Sequence, residues 1–202
     1  VASPYRDRSH FDGQNVIETG GNAPYQVKDG WLNRLSTLLP KSKMPPIAFS
    51  PAMPMALRGA AEATSYSRSP NPDPSAELLA RVSRLYENDA LLHPLWSAAM
   101  ETRGIAGNEN SGPDPASVGK LAASFLARAD GPRLAMIETS GWDTHNQQEP
   151  RLARLLAGLD AMLVALRAGM GPAWAKTTVL VATEFGRTVA VNGTNGTAHG
   201  TA

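Results

Sequence analysis

An α/β fold, with a mostly parallel sheet and helices on both faces, is predicted by three stretches of this sequence. Arg133 to Thr139 is a short apolar run closed by Ser140-Gly141. Arg151 to Arg167 places Leu152, Leu155, Leu159, Met162 and Leu166 on one stripe with the ~3.6-residue period of an α-helix. Thr177 to Thr183 is a β-branched run about as long as one buried strand. A strand, a crossover helix and a second strand make a βαβ unit, and such units are nearly always parallel and right-handed.

The elements ahead of that unit follow in order. Residues 5–12 are polar and charged, and a short helix is expected from about Gly13 to Thr19, ended by Gly20-Gly21. Trp31 to Leu39 reads as a second short helix stopped by Pro40. Pro46 to Ser50 fits a brief strand. Pro51 to Pro74, rich in Pro, Ser and Met without periodicity, reads as a loop or flap inserted in a single domain that spans 1–202. A helical region runs from Ser75 towards Gly104, striped by Leu78, Leu79, Val82, Leu85 and Tyr86. A break or kink is expected after His93, at Pro94. Asp114 caps a further helix that starts on Pro115 and buries Val118, Leu121, Ala122 and Phe125. The chain closes on the Gly/Asn/Thr-rich stretch NGTNGTAHG, read as a loop. It opens and stops in polar segments, so an incomplete domain from a longer protein is expected.

Composition bounds the function. With 202 residues and a hydrophobic share of 42%, the chain can build a real core. Its 19 basic and 18 acidic residues leave a net charge of +1, without the basic footprint of a nucleic-acid binder. The absence of cysteine excludes disulfides, thiolate metal ligands and a cysteine nucleophile. No apolar run reaches the ~18 residues of a membrane span.

Parallel strands put their carboxyl ends on one edge of a sheet, where open α/β folds bind ligands. The loop after the first strand of the βαβ unit holds Trp142-Asp143-Thr144-His145, and the second strand runs into Glu184-Phe185-Gly186-Arg187. Asp143, His145 and Glu184 are therefore expected to converge on one crevice. There are four histidines, His10, His93, His145 and His199. His199 can return to the same edge through its Gly-rich loop, whereas His93 reads as a structural histidine in an apolar helix. Oxygen and nitrogen donors of this kind suit zinc, manganese or iron. The plainer alternatives are a loop-capping Asp143–His145 pair, a Glu184–Arg187 ion pair and a solvated His199. Arg187 also suits the oxygens of a phosphate or sulfate. Ser9, flanked by Arg8, stands at a helix start, a position that serves equally as an N-cap or as a nucleophile beside helix amides.

Taken together, the segments RSHFDGQ, ETG, GWL, SGWDTH, TEFGRT and GTAHG resemble a bacterial sulfatase-like family, exported through a twin-arginine signal and placed in the alkaline phosphatase superfamily. The series covers most of the chain and is specific as a combination. Where the family reads SHFDAQ this chain has SHFDGQ, and where it reads GTDHG this chain has Ala198. The resemblance implies an alkaline-phosphatase-like sandwich with zinc or manganese, as two ions, at strand carboxyl ends. By order along the chain it implies Asp143, His145, Glu184 and His199 as metal ligands and Ser9 as nucleophile. Arg8 or Arg187 would then hold a small anionic ester, and the activity implied is hydrolysis of a phosphate or sulfate ester by an exported enzyme. The superfamily spaces its Asp and His more widely, carries Asp-His where this chain has Glu184-Phe185, and has an N-terminal ligand-bearing strand with no counterpart here. A non-catalytic exported protein with a degenerate site is the alternative.

Overall fold

Caps explain most of the helix boundaries. In the computed structural model, which describes residues 5–7, 9–67, 73–106 and 114–200, the Ser9 hydroxyl accepts from the Asp12 amide at 3.3 Å and opens α1, His10–Thr19. This is a turn earlier than the apolar pattern alone predicts. Gly20, at φ 67°, closes it in the left-handed region that glycine adopts without penalty. α2 covers Trp31–Ser36 and stops short of Leu39. The amides of Thr37 and Leu38 turn to carbonyls three residues back, which tightens the last turn and ends the helix.

The sheet begins with β1, Ile47–Phe49, and β2, Thr64–Ser65. Between them, the stretch expected as a loop or flap is pinned at Ala56, Leu57 and Ala61. Buried Glu18 accepts from the Ala56 amide at 2.8 Å, and buried Asn33 donates to Leu57 and Ala61 carbonyls at 2.9 and 2.8 Å. α3 spans Ala76–Tyr86 and α4 spans Leu92–Ala106. The break between them precedes Pro94 instead of following His93. The Asp89 carboxylate accepts from the Leu91 and Leu92 amides at 2.9 and 2.8 Å and starts the second helix there. Pro94 then falls in a first turn, where a missing N–H is harmless. His93 is exposed in that turn, not packed in an apolar helix.

α5, Pro115–Leu126, opens as expected on Asp114, whose carboxylate accepts from the Ser117 amide at 3.2 Å. β3 is Ala135–Ile137, and α6 runs the long course Gln148–Met170. β4, Gly186–Val191, and β5, Thr197–Gly200, form a separate antiparallel hairpin. The result is a mixed α/β architecture whose three-stranded parallel sheet has the order β2-β1-β3, with Ile47 opposite Ala135 and Phe49 opposite Ile137.

One expectation is overturned. Residues 177–182 form no strand, and Val179 and Leu180 are 42% and 52% exposed. The parallel partner of β3 is β1, so the βαβ unit proposed across α6 is absent among the described residues. The β-branched run has the propensity for a strand, but propensity reflects packing on a half-buried pleated surface, and here that surface is supplied to β1 instead.

The core sits where α5 and α6 cover the sheet. Ile47, Phe49, Ala122, Ala123, Phe125, Leu166 and Met170 form one buried cluster. The helices approach backbone to backbone: a Cβ on Gly119 would lie 2.1 Å from the Met162 carbonyl oxygen, and one on Gly169 would lie 2.5 Å from Ala123 Cβ. No helix among the described residues is long and apolar enough to cross a membrane.

Candidate metal centre

The site grows from the carboxyl edge of the parallel strands. Just past β1 and β3, the Ser50 hydroxyl donates to the Glu138 carboxylate at 2.8 Å and ties the two strand ends together. The chain then crosses residues 139–147, which carry Trp142, Asp143, Thr144 and His145. Thr144 is fully buried, and its hydroxyl is the buried side-chain group without a partner among the described residues.

The Gly/Asn/Thr stretch is a clamp on this crossing. Asn192 and Thr194 donate side-chain hydrogen bonds to the His145 carbonyl at 2.8 and 2.9 Å. The Gln147 and Gln148 amides return bonds to Thr194 and Asn195 carbonyls at 3.0 and 2.9 Å. Gly196 permits the contact, since a Cβ there would lie 2.1 Å from the same His145 oxygen. Composition reads this stretch as a plain loop. Its side chains make it the tip of a hairpin folded onto the site.

Asp143 is the hub. Its Oδ1 lies 2.6 Å from His145 Nε2, 2.8 Å from His199 Nε2 and 3.3 Å from an Arg187 nitrogen. Its Oδ2 lies 3.5 Å from His10 Nε2, and the other nitrogen of His10, Nδ1, is 3.2 Å from Glu184 Oε1. Burial raises the Asp143 pKa. The hydrogen bond to His199 and the charges of His145, His199 and His10 together outweigh burial and leave the carboxyl below its ordinary value. The rings are packed as well: Phe185 stacks on His199 at 4.5 Å and meets His10 edge-on at 4.8 Å.

The predicted residues fall out unequally. Asp143, His145, Glu184 and His199 do join one network, although no βαβ unit brings them there. Instead β5 delivers His199, the chain entering β4 delivers Glu184, and α1 presents His10 to both carboxylates. A close approach allows this, because a Cβ on Gly13 would lie 2.9 Å from the Glu184 carbonyl oxygen. His10, Asp143 and His199 each offer a ligand atom, and the three atoms lie within 4.8 Å of one another. Sequence reasoning noted His10 without placing it; its adjacency to a helix-capping serine was the only local signal. Ser9 serves as the cap of α1. Arg187 donates to the Trp142 and Thr197 carbonyls at 2.8 and 2.9 Å, which locks the hairpin onto the 142–145 segment. Arg8 lies outside the described residues.

A family model described as a protein of unknown function, DUF1501, matches residues 2–202. The chain belongs to the DUF1501 family. No curated protein and no solved structure matches it. The chemistry of this DUF1501 chain is therefore read from the cluster itself. Two imidazole nitrogens and a carboxylate oxygen from three separate elements, with a third imidazole on the same carboxylate, form a donor set that fits a divalent first-row ion.

Proposed function

We infer that this chain carries the centre of a divalent-metal-dependent hydrolase of phosphate or sulfate esters, on an alkaline-phosphatase-like α/β fold in an exported protein. The observation that carries the reading is the convergence of His10, Asp143 and His199, far apart in sequence, to within 4.8 Å. Zinc or manganese there would polarise an ester oxygen and favour an ionised nucleophile. The protein's own residues do the rest. Asp143 stays anionic and His10, His145 and His199 surround it, while Arg187 borders the cluster as a fixed positive group beside which a small anionic ester can sit. Ser9, next to His10 at the head of α1, is the hydroxyl assigned to attack.

The second reading is a non-catalytic exported binding protein that retains the fold. It is favoured by the use of Ser9 as a helix cap and by Ala198, which stands where the resembling family has an acid. Hydrolysis of p-nitrophenyl phosphate and p-nitrophenyl sulfate by zinc- or manganese-loaded protein separates the two. Turnover that falls at least ~100-fold in His199→Ala, equivalent to about 2.7 kcal/mol of barrier, supports the hydrolase. Metal-loaded protein inert towards both esters leaves the binding protein.

A further inference from the structure

We propose that this centre holds a single ion and that Glu184 is a positioning residue acting through His10, not a ligand. The inference rests on the metal-dependent reading above and deepens it.

The tautomers come first. His10 points Nδ1 at Glu184 Oε1, 3.2 Å away, and Nε2 towards Asp143. Both nitrogens face carboxylates, and the closer contact is at Nδ1; a proton kept on Nδ1 for Glu184 leaves Nε2 as the nitrogen that an ion beside Asp143 would take. His145 is placed differently. Its Nδ1 lies 3.0 Å from the Thr197 carbonyl oxygen, which can only accept, and its Nε2 lies 2.6 Å from Asp143 Oδ1. Arg187 NH1 donates to the same Thr197 oxygen at 2.9 Å and lies 3.3 Å from Nδ1, so His145 is tied to the hairpin and stands outside the three-atom group. A cation seated among Nε2 of His10, Nε2 of His199 and Asp143 would replace these direct contacts with coordination. The Glu184–His10 pair then has the geometry of an outer carboxylate that orients a metal-binding histidine.

The count of one follows from what flanks the cluster. A second ion needs donors of its own, and His10, Asp143 and His199 are the one group of three or more His, Asp or Glu among the described residues with ligand atoms within 4.8 Å of each other. The flank beyond His10 and His199 is filled by the Phe185 ring, stacked on His199 at 4.5 Å. The Arg187 guanidinium carbon lies 4.9 Å from that ring's centroid. An apolar face backed by a fixed positive charge repels a second dication. Glu184, the remaining acid nearby, is engaged by His10.

The test titrates metal-free chain with cobalt(II) and with zinc, reading the cobalt visible spectrum and the binding equivalents. Wild type is expected to take up one equivalent. Glu184→Gln and Glu184→Ala should keep one equivalent and an unchanged cobalt band shape, with affinity lowered about 10- to 100-fold, more in the alanine variant. His10→Ala and His199→Ala should alter the band. Circular dichroism and melting of each variant exclude loss of fold. Should Glu184→Ala fail to fold, nitrogen NMR of His10 in the zinc-loaded wild type carries the test, because Nδ1 must then be the protonated nitrogen. Two tight equivalents in wild type, a ligand-loss spectrum in Glu184→Gln, or a proton on Nε2 of His10 overturns the proposal. One equivalent bound without ester turnover sinks the hydrolase reading alone; two equivalents with turnover sink only this one; no uptake at all sinks both.

Discussion

Two parts of this molecule are built on opposite principles. In the α3–α4 pair, α3 has the strongest one-sided apolar stripe of the described helices, yet neither helix contains a buried residue. Its ties are to itself, through Tyr86 against Trp96 at 5.8 Å and the Trp96 indole donating to Ser83 at 2.8 Å. Ile105 and Ala106, at its far end, pack on the core. The candidate metal centre has no periodic pattern at all. It is assembled by hydrogen bonds between α1, the crossing after β3 and the β4–β5 hairpin, and each of these elements fixes another. Regular patterning thus makes helices without saying what they pack against. The irregular polar stretches carry the long-range geometry.

The contrast predicts that small changes at close backbone approaches outweigh large changes on the helical pair. Gly119→Val sets the upper end. Its Cβ would meet the Met162 carbonyl at 2.1 Å, and overpacking at a helix crossing costs about 3 kcal/mol or more. For a chain of this size that corresponds to a melting temperature lowered by roughly 6–12 °C. A melt within two degrees of wild type would show that the helices separate freely, and the close α5–α6 approach would then be irrelevant to stability. Gly196→Ala comes next, with about 1–3 kcal/mol expected from the clash with His145. Here the decisive reading is cobalt uptake. If the hairpin is the clamp, affinity falls along with stability; unchanged affinity in a destabilised protein would uncouple the hairpin from the centre.

Asn192→Ala tests the same clamp more gently. It removes the 2.8 Å bond to the His145 carbonyl and the acceptor that holds the Thr194 and Gly196 amides. A loss of about 1–2 kcal/mol in denaturant titration is expected; a loss as large as that of Gly196→Ala would mean the tip collapses as a whole. A still smaller effect appears as a pH dependence. Asp143 has a lowered carboxyl pKa, so its contribution to stability is present above the ordinary carboxylate value and is lost as pH falls through the lowered one. Unfolding of metal-free Asp143→Asn should therefore change less steeply than wild type below about pH 4. Parallel acid limbs would show that the surrounding histidines do not stabilise the charge.

What could be read from the sequence follows the same division. The cap at Asp114, the helix opening at Ser75, the α6 stripe and the apolar run Arg133–Thr139 are local signals, and they predicted their elements. The run Thr177–Thr183 has equally good local credentials and forms no strand of the sheet, because strand pairing is decided by which neighbour is in register, and β3 pairs with β1. Asp143, His145, Glu184 and His199 were legible as chemistry-bearing types in polar loops. His10 could not be placed beside them from sequence, because the contact depends on α1 packing against Glu184 across almost the whole chain. Gly196 was unreadable for a related reason: its role is to leave room for His145, which no local pattern records.

The mildest prediction is the sharpest test of the helical pair. Leu85 belongs to the apolar stripe of α3, yet it is 73% exposed. A stripe residue in a core would cost about 2–5 kcal/mol on truncation, whereas a surface substitution usually stays within ±0.5 kcal/mol. Leu85→Ser is therefore expected to leave the unfolding midpoint within that surface range and metal uptake unchanged. If the variant loses more than about 1 kcal/mol, Leu85 is covered in solution, and the pair packs on more than its own partner helix and the foot at Ile105. If it loses nothing, the stripe supports the helix by its own propensity and the Tyr86–Trp96 contact alone, and the chain's stability lies in the crossings that Gly119 and Gly196 make possible.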